Sequence, residues 1–117
     1  MLIKYAVRLV RAFKNSWAGL VEATREEHAF QTEILVAVFM MPIGLYFAKN
    51  TVEFCVLFGA GMLIFVAELI NSSIEAAVDR VGSEYHPLAG KAKDLGSAAV
   101  FLAIINAAII WALILVF

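Results

Sequence analysis

Apolar residues run through this chain in three long stretches, with polar residues gathered at their ends. The first uncharged stretch, Ile34 to Ala48, holds 15 residues, fewer than the ~20 that cross a hydrocarbon core of roughly 30 Å. Its helix is therefore expected to begin nearer Ala29, with Glu33 close to the inner boundary of the bilayer. Pro42 and Gly44 allow a kink there, and Tyr46 and Phe47 fall where an aromatic belt is expected. Lys49 to Glu53 reads as a short polar turn, with Thr51 as the cap of the next helix. The second stretch runs from about Val52 to Ile74. From Phe54 to Ala67 it carries no charge, and Glu68 closes that run. The third, Leu95 to Phe117, has 23 residues without a charge and can span a membrane with some tilt. Between the last two, Gly82 to Gly90 (GSEYHPLAG) reads as the one real loop, because Pro87 opposes a continuous helix.

Residues 1–27 follow a different period. Lys4, Arg8, Arg11 and Asn15 share one polar face, while Ile3, Val7, Val10 and Phe13 turn elsewhere. A basic amphipathic helix of this kind lies in the interface and attracts anionic lipid, and Trp17 suits the same depth. Basic residues every three or four positions leave no continuous apolar core of the kind a signal peptide needs. Glu22, Arg25, Glu26, Glu27 and His28 mark a wet turn before the chain enters the bilayer. The expected organisation is one all-α membrane domain over 1–117. It has a surface helix (1–27) and three membrane helices (29–48, 52–79 and 90–117).

Composition supports lipid as the solvent: 63% of the 117 residues are hydrophobic and the mean hydropathy is +0.89, far above a soluble domain. The net charge of -1 gives no polybasic case for nucleic acid. The single cysteine, Cys55, permits no intrachain disulfide and says nothing of the redox compartment. Eight basic residues lie before the first span or between the second and third, and only Lys49 lies on the other side. That imbalance places the N-terminus and the Arg80 to Asp94 segment in the cytoplasm.

The chemistry concentrates at the end of the second span. At roughly 100° per residue, Glu75 and Asp79 fall within about 20° of Glu68, on either side of it, with Asn71 and Ser72 on the flanks of this face. A column of like-charged carboxylates repels itself unless a cation or proton holds it together. Such a column suits a divalent metal with phosphate, and hence phosphoryl transfer at a membrane surface. An ionisable residue at the end of an apolar span is a functional candidate by default, and a carboxylate so placed makes a usable general base. Two bland readings stand beside this one: Glu68 hydrogen-bonding a neighbouring helix, and Glu75 and Asp79 as solvated helix-end charges. Gly90-Lys91 is not a P-loop, since Tyr85 stands in the first glycine position and Ala92 replaces the Ser/Thr. Asn106 reads as glue between helices, and Gly96, Ala99, Ala103 and Ala107 as a close-packing stripe, with Gly59 and Gly61 doing the same on the second span. His28 and His86 have no metal-ligand spacing. Trp111, read alone, is a belt residue. Three spans cannot wall off the column on all sides, so a homo-oligomer with sites between subunits is expected.

Four segments together resemble the prokaryotic diacylglycerol kinase family: Glu68-x-x-Asn71-Ser72-x-Ile74-Glu75-x-x-x-Asp79-Arg80; Gly82-Ser83-Glu84-Tyr85-His86; Ala92-Lys93-Asp94-x-Gly96-Ser97-Ala98-Ala99-Val100; and, near the N-terminus, Ser16-Trp17-x-Gly19-Leu20 with Glu27-x-Ala29-Phe30-x-x-Glu33. The resemblance implies a homotrimer in the bacterial inner membrane that phosphorylates a lipid alcohol with ATP and Mg2+. It places the catalytic base on Glu68 and the metal-binding acids on Glu27 and Glu75. It places nucleotide contacts on Arg8, Glu84, Tyr85, His86, Lys93 and Asp94, with Asn71 and Asp79 in support. Lipid contacts would come from Arg8, Ser16, Trp17, Ala29, Phe30, Glu33, Ser97 and Trp111. Asn15 and Pro87 depart from the family pattern, and no contact is carried over to them. The rival readings are the same chemistry on undecaprenol and, from another class, a small proton-coupled transporter that uses no ATP.

Overall fold

The computed structural model describes residues 1–82 and 84–117. Ser83, one of the family-like residues above, lies outside the described residues. Four helices make up the architecture of the described residues: α1 Leu2–Glu26, α2 His28–Phe47, α3 Thr51–Val81 and α4 Pro87–Val116. α1 is the amphipathic one. The other three are each long and apolar enough to cross a membrane. The 20 residues of α2 give a length of about 30 Å at 1.5 Å per residue, close to the hydrocarbon thickness. α3 and α4, with 31 and 30 residues, are each about 45 Å long and project beyond it. Those projecting turns carry the acidic and basic residues.

A single extended residue separates α1 from α2: Glu27, at φ -95° and ψ 109°. Gln31 closes this corner by donating from Nε2 to the carbonyls of Thr24 and Arg25, both at 3.0 Å. The turn before α3 is capped by Asn50 rather than Thr51. The Asn50 side chain accepts from the Glu53 amide at 2.9 Å, and the Glu53 carboxylate accepts in return from the Lys49 amide at 2.9 Å. Thr51 is the first helical residue. α4 begins at Pro87, three residues before the expected Gly90. Proline is suited to the first helical position, where its missing N–H has no partner to lose. His86 caps that end, its Nδ1 accepting from the Leu88 amide at 3.1 Å. Pro87 therefore starts a helix instead of lengthening a loop.

α3 and α4 form the main helix pair, and α2 lies against α3. Their core is built from small side chains. Ala60 and Ile64 on α3 meet Ala103 and Ala107 on α4, with Ala67, Ile110 and Trp111 at the margin, while Leu57 is 1% exposed. On α4 the buried face is Gly96, Val100, Ala103 and Ala107. Ala99 is exposed, one position off the face, so Val100 takes its place in the stripe. Gly59 and Gly61 do not pack closely against anything: a Cβ on either would meet no atom within 4 Å. Asn106 is exposed and lines an open groove between α3 and α4 instead of bridging them. Gly44, expected to loosen α2, serves a contact, since a Cβ there would sit 3.0 Å from Trp111 Cη2 and 3.6 Å from Leu57 Cδ1. α2 continues as helix through Pro42. At the other end of α2, Phe30 is buried edge-on against Phe65, with ring centroids 5.3 Å apart.

The chain is open rather than ball-like. Its radius of gyration is 17.6 Å, against about 13 Å for a compact domain of this length, and Leu35, Val38, Phe39, Leu45 and Phe101 are among the large apolar side chains left exposed. Lipid and other protein surfaces are the natural cover. The two kinds of glycine predict opposite outcomes. Gly44→Val should lower thermal stability in detergent by about 1–3 kcal/mol through overpacking against Trp111. Gly59→Ala, with open space around it, should be neutral or stabilising by up to about 1 kcal/mol. Thermal unfolding in one detergent reads both, and a stabilising Gly44→Val would contradict the packing described.

Candidate active site

α3 delivers the acidic column and sets its gradient of exposure. Glu68 is buried, with 7% of its surface exposed. Asn71 and Glu75, one and two turns on, are half-buried, and Asp79 is exposed. The column thus climbs from an apolar wall to water over about 16 Å at 1.5 Å per residue. Besides its burial, Glu68 has the charges of Glu33, Glu75 and Glu27 within reach. Carboxyls of α2, α3 and the α1–α2 corner thus bear on Glu68.

Two contacts tie this column together. Asp79 pairs with Lys93 on α4 across 2.6 Å, which joins the wet ends of the two helices and holds the ammonium beside the column. Lower down, Asn71 donates from Nδ2 to Glu75 Oε1 at 3.5 Å. Its Oδ1 is buried with no hydrogen-bond partner and lies against Gly96 of α4, where an added Cβ would collide with it. Spacing alone gave no sign of this contact. The only sequence signal is a small residue in the α4 stripe, level with a polar one on α3.

An apolar cavity of about 400 Å³ opens between α2, α3 and α4. Met40, Met41, Phe58, Met62 and Phe65 are among its walls, Trp111 is at its margin, and Glu33 is its one charged wall residue. Glu33 and Trp111, two of the residues expected to meet lipid, therefore line the same space. Phe30 adjoins it by packing on Phe65.

Other expected site residues lie elsewhere on the chain. Arg8, Ser16 and Trp17 are exposed on α1, and Arg8 stands 19 positions from Glu27, about 28 Å along the helix axis. Ala29, Asp94 and Ser97 are exposed. Glu84, Tyr85 and His86 lie on the exposed connection before α4, with Tyr85 88% exposed. Within one chain Arg8 does not approach the column.

No three His, Cys, Asp or Glu side chains among the described residues come together as a metal cage. Mg2+ carried on nucleotide phosphates does not require one, because it binds through one or two carboxylates with the remaining positions taken by phosphate and water. Glu27 and Glu75 are carboxylates of the type that would fit such an ion.

A small bundle of membrane-crossing helices with a column of carboxyls at its wet edge defines a class: a polytopic membrane protein with an acidic site at the interface. The family profile described as prokaryotic diacylglycerol kinase matches residues 14–115. The chain is 43% identical over 108 residues to a diacylglycerol kinase of Escherichia coli K12, covering 92% of this chain and 88% of that one. It is 38% identical over 109 residues to a diacylglycerol kinase of Haemophilus influenzae, covering 93% and 92%. To a diacylglycerol kinase of Helicobacter pylori 26695 it is 45% identical over 104 residues, covering 89% and 81%. The chain belongs to the prokaryotic diacylglycerol kinase family.

The crowding of carboxyls around Glu68 predicts a particular stability pattern. Residues kept for chemistry commonly lower stability, so Glu68→Gln, which removes a charge and keeps the shape, should unfold in detergent at a temperature no lower than wild type. A clear drop would instead mark Glu68 as a structural hydrogen-bonding group.

Proposed function

We propose that this chain is a lipid kinase that transfers the γ-phosphoryl group of ATP to diacylglycerol, giving phosphatidic acid. The observation that carries this reading is the graded column, buried at Glu68 and wet at Asp79, beside an apolar cavity whose one charged wall residue, Glu33, acts on Glu68. A lipid alcohol can reach Glu68 from the apolar side while a nucleotide stays in water at the Glu75 end. The diacylglycerol kinases of the other bacteria named above support the same acceptor.

Phosphoryl transfer asks the protein mainly for positioning and charge neutralisation. Glu68 takes the proton of the glycerol hydroxyl as general base. The freed oxygen attacks the γ-phosphorus, the bond from that phosphorus to the bridging oxygen breaks, and ADP leaves with that oxygen. Glu27 and Glu75 would hold Mg2+, which neutralises phosphate charge when bound. Lys93, kept beside the column by Asp79, offsets further negative charge on the phosphates, and Asp94 lies one residue on. Asn71 supports Glu75. Glu84, Tyr85 and His86 contact the nucleotide, and Arg8, Ser16, Trp17, Ala29, Phe30, Glu33, Ser97 and Trp111 meet the lipid.

The column and the N-terminus lie on the cytoplasmic side of the bacterial inner membrane, where ATP is available; the excess of basic residues in those segments supports this orientation. The working unit is a homotrimer with sites at subunit interfaces. Two features support that assembly: the exposed apolar faces of the helices, and Arg8, which on its own chain lies remote from the column.

Radiolabelled ATP with Mg2+, offered to the protein in detergent micelles containing diacylglycerol and undecaprenol side by side, tests the reading. Label should appear on diacylglycerol and fall by at least about a hundredfold in Glu68→Gln, as expected on losing a general base. Label on undecaprenol instead would keep the mechanism and change the acceptor. Label on neither would overturn the kinase reading in favour of a transporter.

A further inference from the structure

Gly96 and Asn71 meet where α3 and α4 cross, and the contact is unusual for a packing residue. Asn71 presses its Oδ1 against the bare Cα of Gly96, where a Cβ would collide with it, while Ile74 Cδ1 lies 3.6 Å from the same Cβ position. That oxygen is buried without a hydrogen-bond partner within the chain. A side chain kept only for close helix packing would be Ala or Ser, which would leave no such orphan. The other end of the carboxamide explains the arrangement. Nδ2 points to Glu75 Oε1. Turned over, the carboxamide would set its oxygen against a carboxylate oxygen and leave its N–H groups facing an apolar Cα.

We propose that Gly96 is a positioning residue for the acidic column. Its missing side chain is the notch that seats the Asn71 carboxamide, and the seated carboxamide steers Glu75. Gly96 touches no reacting group and acts only through Asn71. The inference rests on the kinase reading for the role of Glu75 in cation binding, but the side-chain coupling it asserts can be measured without turnover.

The test is a set of four proteins in one detergent: wild type, Gly96→Ala, Asn71→Ala and the double variant, with Gly59→Ala as a control for adding a methyl group to a helix. The readouts are the thermal unfolding midpoint without metal, and Mn2+ affinity by electron paramagnetic resonance with a non-hydrolysable ATP analogue. Gly96→Ala should lower the midpoint and weaken Mn2+ binding by several-fold, while Gly59→Ala does neither, leaving the midpoint unchanged or slightly higher. In the Asn71→Ala background the collision partner is gone, so adding Gly96→Ala should change Mn2+ affinity less than twofold and leave the midpoint in place. That last comparison does not require Gly96→Ala alone to fold. If Gly96→Ala weakens Mn2+ binding as much without the carboxamide as with it, the inference is overturned. If wild type binds no Mn2+ with nucleotide, the kinase reading fails, while the midpoints still decide whether Gly96 acts through Asn71.

Discussion

Keeping Glu68 out of water at the foot of a column of carboxyls is the constraint that the surrounding structure meets. A carboxyl 7% exposed, with Glu33, Glu75 and Glu27 acting on it, is poorly hydrated and surrounded by its own sign. Left in an apolar wall, such groups drive helices apart or draw in cations and protons. The column answers by rising into water within three turns, and Lys93 is drawn to its upper end through Asp79. What one chain does not provide is a counter-charge at the lower end. That deficit is what the proposed Mg2+ and phosphate would fill.

The column keeps its shape because α3 and α4 approach closely along small side chains. Ala60, Ala103 and Ala107 bring the backbones together, and Gly96 continues that approach to the level of Asn71. The same crossing that packs the bundle therefore fixes the side chain next to Glu75. Toward α2 the same helices leave the apolar cavity, with Glu33 in its wall. Close packing of α3 on α4 and the space left toward α2 place an oily space and an acidic column on either side of the Glu68 turn.

Much of this was legible from residue types alone. The 3.6-residue period marks the amphipathic α1, the three uncharged stretches mark the spans, and the spacing of Glu68, Glu75 and Asp79 puts them on one face. The uncharged stretches themselves carry little phase information. With apolar residues all round, nothing distinguishes Gly59 and Gly61, which touch nothing, from Ala60 and Leu57, which form the core. Val100 in place of Ala99 and the exposed Asn106 have the same cause. Pro87 was read as a breaker although proline also opens helices, and Thr51 drew attention from Asn50, whose side chain makes the cap. Glu27 carries no local signal. Its interest came from the family pattern, and its placement beside Glu68 depends on the sharp α1–α2 corner.

The division of labour along the column is the centre of this account: lipid chemistry at Glu68, nucleotide and metal at Glu75 and Glu27. Equilibrium binding of Mg2+ with a non-hydrolysable ATP analogue, measured on Glu68→Gln, Glu75→Gln and Glu27→Gln in one detergent, tests it most directly. The account predicts that Glu75→Gln and Glu27→Gln lose at least about tenfold in affinity, roughly 1.4 kcal/mol each, while Glu68→Gln binds as wild type does. Equal loss in Glu68→Gln, or wild-type binding in Glu75→Gln, would contradict it.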